Sequence, residues 1–289
     1  MKASRIVSRL GWALLPASLA LGSAAAPALA ATTWTTVRIA TEGAYPPWNM
    51  STPSGKIVGF EPDLSDYLCA HMKVKCVMIA QDWNGVIPGL TAGKYDAIMD
   101  GMSATAQREK VIAFSMPYAQ TPSQFATLKG GPLAKLPEMN QRLDFTKDPK
   151  AAEAALAPLH RALKGRTIGV QVSTIQAAFL KQYFSGDITI RTYPTTQERD
   201  LDLQAGRVDA ILDSLAYLKP AMGKPTLKDA VLTGPMYAGG VFGAGTAVGL
   251  RKGNPHLRAM FNAAIKSALA DGTIHKLAIK WFHFDVTPQ

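Results

Sequence analysis

An acid, an aromatic ring and a pair of prolines lie close together in Thr41-Glu42-Gly43-Ala44-Tyr45-Pro46-Pro47-Trp48. They follow directly on the apolar run Val37-Arg38-Ile39-Ala40, which reads as a strand. Open α/β sheets bind ligands beyond the carboxyl ends of their strands, so this loop stands where a ligand would sit. Glu42 offers negative charge and Tyr45 a flat face. The prolines fix φ and remove backbone donors, which stiffens the loop. The plainer alternative is a Pro-rich turn after a strand, with no ligand.

A second group, Ser103-Ala104-Thr105-Ala106-Gln107-Arg108, follows a strand expected to end at Asp100. A hydroxyl, the unsatisfied N–H groups of a starting helix and a guanidinium fork together suit a carboxylate. Gln171-Val172-Ser173-Thr174 repeats the sequence of strand end, hydroxyl and helix start. Each alone is more simply a capped helix. Two in matching places could hold one carboxylate from both sides. Trp83 stands at another expected helix start and on pattern alone is a core side chain.

Signatures of catalysis are missing: there is no His-Glu-x-x-His, no Gly-x-Ser-x-Gly and no phosphate loop. His71, His160, His256, His275 and His283 are dispersed and read as packing or surface groups. No cofactor is expected. A metal site is not expected either, because Cys69 and Cys76 are the only cysteines and no His pair of zinc-like spacing lies near them.

These groups need elements to position them. Residues 1–30 read as an export signal: Lys2, Arg5 and Arg9 form a basic start, Leu10 to Leu21 an apolar run too short to span a bilayer, and Ala28-Leu29-Ala30 a cleavage site. A periplasmic product cleaved after Ala30 is the expectation. The formal charge of +10 drops by three when that segment leaves. The remaining Lys and Arg are scattered, which fits a solvated basic surface rather than a nucleic-acid partner. In an oxidising compartment Cys69 and Cys76 should pair, stapling a helix end to the strand that it feeds.

Beyond the signal, the spacing predicts strands at 37–41, 74–80 and 96–100 alternating with helices at 63–71 and 85–93. Residues 118–128 read as an extended crossing. A second α/β series runs from strand 167–172 through helix 174–184, strand 188–193, helix 198–205 and strand 210–212 to helix 214–219. Residues 241–249 read as a second extended crossing, before helices at 255–270 and 274–282. Such alternation predicts parallel sheets with helices on their faces. The expected organisation is one lobe from residues 31–120 plus 243–289, a second from 121–242, and a cleft between them. Gly93-Lys94-Tyr95-Asp96-Ala97-Ile98 and Gly206-Arg207-Val208-Asp209-Ala210-Ile211 echo each other, as expected of pseudo-symmetric lobes.

The residues together resemble a known family. The chain is similar to the periplasmic solute-binding proteins of ABC importers, in the branch for polar amino acids. The likeness is greatest to binders of lysine/arginine/ornithine, of histidine, and of the opines octopine and nopaline. It rests on Val58-Gly59-Phe60-Glu61-Pro62-Asp63-Leu64, Tyr95-Asp96-Ala97-Ile98-Met99, the stretch from Arg108 to Ser115, and the tail Ala270-Asp271-Gly272-Thr273 with Trp281-Phe282. The segment 130–165 and the placing of Glu42 before Tyr45 resemble the opine binders.

The resemblance implies a type II two-lobed α/β fold with crossover hinge strands. It implies a small ligand, an inner-membrane permease as partner, and a monomer. It assigns the ligand carboxylate to Arg108, Ser103 and Thr174, the aromatic wall to Tyr45 and Trp83, and the cationic end of the ligand to Glu42. Gly101 occupies a position that is often Ser in relatives. The acid that usually meets an α-amino group should fall at Ser214; here the acid is Asp213, one residue earlier. Strand neighbours point to opposite faces, so Asp213 is not expected to replace it. That departure favours an opine over a plain amino acid. Alternatives are a dehydratase-like enzyme on the same fold and a ligand-sensing domain.

Overall fold

The computed structural model describes Met1, residues 33–139 and residues 141–288; the expected signal, apart from Met1, lies outside the described residues. Among the described residues no helix is long and apolar enough to cross a membrane. A five-stranded sheet runs in the order Lys75–Ala80, Thr36–Thr41, Ala97–Ile98, Thr246–Leu250, Ala113–Ala119. The first three strands are mutually parallel and the last two join antiparallel. Val37, Ile39 and Ala40 are fully buried, as a strand covered on both faces requires.

The helix Phe60–Met72 opens with Glu61, Pro62 and Asp63 in its first turn, where acids and proline suit the free N–H groups. Phe60, Leu64 and Leu68 recur four apart and turn one buried face inward. That face packs with Phe261 and Ile265 of the helix Pro255–Ala270 and with Phe282 of the helix Thr273–Phe282. The same core anchors the Pro-rich loop. Trp48 packs edge-on to Phe60 at 5.5 Å between ring centres and lies 4.8 Å from Phe282. The carbonyls of Pro47 and Trp48 accept from the N–H groups of Phe60 and Glu61, both at 2.9 Å.

Cys69 and Cys76 form a disulfide across a sequence separation of 7, joining that helix end to the strand Lys75–Ala80. So short a loop contributes about 2–3 kcal/mol in the chain-entropy account, or roughly 5–10 °C of Tm in a protein of this size. Thermal melts with and without reductant should differ by that amount, with ligand preference unchanged. An identical Tm for reduced and oxidised protein would contradict this contribution.

A six-stranded sheet runs in the order Thr189–Tyr193, Thr167–Gln171, Ala210–Ser214, Ser123–Leu128, Ala230–Ala238, Arg142–Asp144. Its helices Ile175–Phe184 and Thr196–Gln204 begin on the side-chain caps Thr174 and Thr195. The echo between the two α/β series has a physical counterpart. Asp96 accepts from the backbone N–H of Arg38 at 3.0 Å, and Asp209 from that of Thr167 at 2.7 Å. Each aspartate ties the start of one parallel strand to the start of its neighbour.

The chain passes from the first sheet to the second between Ala119 and Ser123 and returns between Ala238 and Thr246. The return differs from the extended run expected at 241–249. It holds a 3-10 turn at Gly240–Phe242, and a strand begins only at Thr246. Gly243 has φ +79°, and a Cβ there would lie 2.2 Å from the Ala104 carbonyl oxygen. The glycines that permit this tight return also break the extended pattern. Within the segment 130–165 the chain forms two short helices, Pro149–Ala154 and Ala157–Leu163.

Candidate ligand-binding site

The carboxyl ends of both sheets' central strands open onto one cavity, lined from the first sheet by Glu42, Tyr45, Trp83, Asp100, Gly101, Ser103 and Arg108 and from the second by Gln171, Thr174, Asp213 and Ser214. All nine residues weighed in the sequence for a ligand site, Asp213 included, line it.

Glu42 follows the strand Thr36–Thr41, and its Oε1 accepts from Gln171 Nε2 of the second sheet at 2.8 Å. Burial pushes its carboxyl up to about 7 against the pull of that hydrogen bond, with Asp213 and Asp82 adding to the rise. Asp100 follows the strand Ala97–Ile98. Its Oδ1 accepts from the Glu42 N–H at 2.8 Å, Asn49 Nδ2 at 3.1 Å and Thr41 Oγ1 at 3.3 Å. Asn49 Nδ2 also donates to Glu61 Oε2 at 2.8 Å, and Glu61 Oε1 accepts from Tyr118 and, at 2.7 Å, from the Gly101 N–H. Burial and then the charge of Glu42 and Glu61 hold the Asp100 carboxyl far above its ordinary range.

The Tyr45 ring stacks on Tyr217 with centres 5.2 Å apart and planes 7° from parallel. Its hydroxyl donates to Asp213 Oδ1 at 2.8 Å and lies 3.1 Å from Ser214 Oγ. Gly101 has φ +58°, and a Cβ would lie 2.8 Å from Tyr45 Cε1, so a serine here would displace the ring.

Arg108 sits in the short helix Ala106–Glu109, capped by Thr105. Its Nη1 donates to the Ser103 carbonyl at 3.0 Å and its Nη2 to the Ser173 carbonyl at 3.3 Å. The guanidinium lies 5.1 Å over the Trp83 ring, and Trp83 Nε1 donates across the cleft to the Val172 carbonyl at 2.9 Å. Trp83 is therefore a wall of the cavity rather than a core side chain. Burial pulls Arg108 down to about 10, partly offset by Asp100. Two carbonyls leave most of its five donors for an anion. The Thr174 hydroxyl is already engaged, donating to the Gln171 carbonyl at 2.7 Å and accepting from the Ala177 N–H at 3.2 Å. What this helix start offers an anion is its backbone N–H groups.

Asp213 corrects the expectation that strand alternation turns it away from the site. Ser214 is the last strand residue and caps the helix Leu215–Ala221, so the backbone turns there and both neighbours reach the cavity. Asp213 is not free, however. Its Oδ2 accepts from Nη1 of Arg199, a side chain with no exposed surface. Arg199 also donates to Asp200 through Nε at 3.0 Å and Nη2 at 2.8 Å, and lies 5.1 Å over Tyr217. Burial alone would lower the Arg199 pKa; Asp200 and Asp213 carry it above its ordinary value.

Sequence reasoning missed Arg199 and Asp100. The first stands in Thr196-Gln197-Glu198-Arg199-Asp200-Leu201-Asp202, which looks like a solvated helix. The second was visible only as a strand end, although a strand end is where a ligand group would be sought.

Comparison with known proteins places this cleft in context. The octopine-binding periplasmic protein of Rhizobium meliloti is 42% identical over 271 residues, covering 88% of this chain and 92% of the relative. The L-arginine-binding protein of Pseudomonas aeruginosa is 34% identical over 266 residues, covering 86% and 89%. The crystal structure of a periplasmic His/Glu/Gln/Arg/opine family-binding protein from Silicibacter pomeroyi, in complex with lysine, has a TM-score of 0.69 at 30% identity, covering 88% of this chain and all of that one. These likenesses extend to the two-lobed type II α/β architecture. With residues 37–284 matched by the family model, the chain belongs to the bacterial extracellular solute-binding proteins, family 3.

Proposed function

We propose that this chain captures a cationic amino acid or an opine of the octopine/nopaline type in the periplasm and passes it to an inner-membrane ABC permease. The observation that carries this reading is the charge of the cavity. Among the described residues Arg108 is the one cation lining it, while Glu42 and Asp100 are lining carboxyls without a cationic partner there. A ligand bearing both a carboxylate and a cation balances both sides; a neutral or purely anionic one leaves buried acids uncompensated. The octopine- and arginine-binding relatives support the same class.

Binding would close a lobe of residues 31–120 plus 243–289 onto one of 121–242. Trp83 to Val172 and Ser173 Oγ to Asn84 Oδ1, at 2.8 Å, are contacts that such closure would form. The protein would act as a monomer and leave its ligand chemically unchanged, which mass spectrometry of the ligand after incubation checks. Asp213 is committed to Arg199 and Ser214 is neutral, so at this end of the strand Ala210–Ser214 neither offers a primary α-ammonium a free carboxylate. This favours an opine, whose amine is secondary and which carries a further carboxylate. Competition for the purified protein should therefore rank octopine or nopaline above L-arginine; tighter binding of arginine than of both would remove the opine preference.

Glu42→Gln should weaken L-arginine by about tenfold or more while changing L-glutamine by less than about threefold, as calorimetry can measure. A protonated Glu42 must release its proton to meet a cation. Affinity for arginine should therefore fall as pH drops below about 7, and the variant should flatten that dependence. Equal losses for both ligands would mean that Glu42 only packs.

A further inference from the structure

Asp100 is 2% exposed, lines the cavity, and uses one oxygen only. Thr41, the Glu42 N–H and Asn49 all converge on Oδ1. Oδ2 is buried and has no hydrogen-bond partner among the described residues. A buried carboxylate oxygen left unpaired is costly, and a polar side chain that served only to tie strand ends would do so without one. The cost is raised by the surroundings. Glu42 on the adjoining strand end and Glu61 on the helix Phe60–Met72 both raise the Asp100 carboxyl, and the Tyr118 hydroxyl is engaged with Glu61. Asp100 supports the charge of Arg108, yet among the described residues no ion pair joins the two.

Resting on the function proposed above, we infer that Asp100 is a second specificity-determining carboxylate of the cleft, its free Oδ2 receiving an N–H of the ligand's cationic group beside Glu42. A guanidinium suits this arrangement because its planar fork presents several donors along separate edges, so it can meet two carboxylates at once. An uncharged ureido group has fewer donors and no charge to balance two acids. Without a cation, the Glu42–Asp100 pair keeps at least part of a proton, since neighbouring carboxyls in a buried site do not both ionise. Cation binding releases it. The groups facing the pair are Glu61, Tyr118, Tyr95 and Arg108 around Asp100, and Asp82, Asp213 and Gln171 around Glu42.

The test uses L-arginine, octopine and L-citrulline, the uncharged near-isostere of arginine, with the native protein and Asp100→Asn. Calorimetry should show the arginine-to-citrulline affinity ratio collapsing by about tenfold or more in the variant, because Thr41, the Glu42 N–H and Asn49 hold the amide oxygen and the uncharged NH2 that replaces Oδ2 cannot accept from a cation. A role confined to tying the loop would weaken both ligands alike and leave the ratio within about twofold, and that result would overturn the inference. Asp100→Ser, which keeps an acceptor for the Glu42 N–H, gives the same test should the asparagine variant not fold. A second readout needs no Asp100 variant. Arginine binding measured near pH 7 in buffers of different ionisation enthalpy should release protons in the native protein and still release some in Glu42→Gln. Release abolished by Glu42→Gln would assign all of it to Glu42 and count against Asp100. If native protein binds neither arginine nor octopine, the proposed function itself fails; if it binds them with an unchanged ratio in the Asp100 variants, only this inference does.

Discussion

Arg108→Ala should all but abolish ligand binding, raising Kd for L-arginine and octopine by roughly 30-fold to several thousand-fold, the equivalent of about 2–5 kcal/mol for a buried carboxylate left without its partner. The guanidinium is held by the Ser103 and Ser173 carbonyls and by the Trp83 face, so its remaining donors are aimed without further ordering. Those partners come from both sides of the cleft, and the substitution should impair closure together with the anion contact. Arg108→Lys should recover only part of the affinity, because a point charge cannot replace the fork. Calorimetry measures this, and a loss below about threefold would mean that the ligand carboxylate is anchored elsewhere.

Arg199→Ala is expected to be the most damaging change away from direct ligand contact. Arg199, itself fully buried, neutralises the buried Asp200 and Asp213, and its removal strands both carboxylates. Breaking such a buried pair costs about 3–5 kcal/mol, or roughly 10–15 °C of Tm at this chain length. Thermal melts check it, and a Tm within about 2 °C of the native protein would contradict the assignment. The conservative Arg199→Lys separates charge from geometry. It keeps the charge but cannot serve Asp200 and Asp213 simultaneously with separate N–H edges. With the hold on Asp213 loosened, that carboxylate would become available to a primary ammonium, and the preference should shift from opines towards free arginine.

Local chemistry made much of the site legible. Strand ends followed by Glu42, Ser103 and Thr174, with a guanidinium at Arg108, are pieces that short sequence windows contain whole. The helix starts and the disulfide are equally local, and Asp96 and Asp209 show as an echo in the sequence although what each ties lies far off in the chain. What sequence windows do not contain is pairing across distance. The helix Thr196–Gln204 looks solvated, yet it turns Arg199 inward because Asp213 and Tyr217 lie beneath it in the fold. Tyr45 meets Asp213 across 168 residues of chain, so the second carboxylate's commitment could not be read from either segment. The alternation rule failed at Asp213 and Ser214 because the strand ends at Ser214 and a helix begins at the next residue. Likewise, Asp100 gains its meaning only from Thr41, Asn49 and the Glu42 N–H meeting on one oxygen, which leaves the other unpaired.

The cleft's charge balance is tested most directly by titrating purified protein with octopine, L-arginine, L-glutamine and L-glutamate in a calorimeter near pH 7.5. Binding of octopine and arginine at least about tenfold tighter than of glutamine, and no heat from glutamate, is the expected result. Glutamine or glutamate binding as tightly as either cationic ligand would contradict the role given to Glu42 and Asp100.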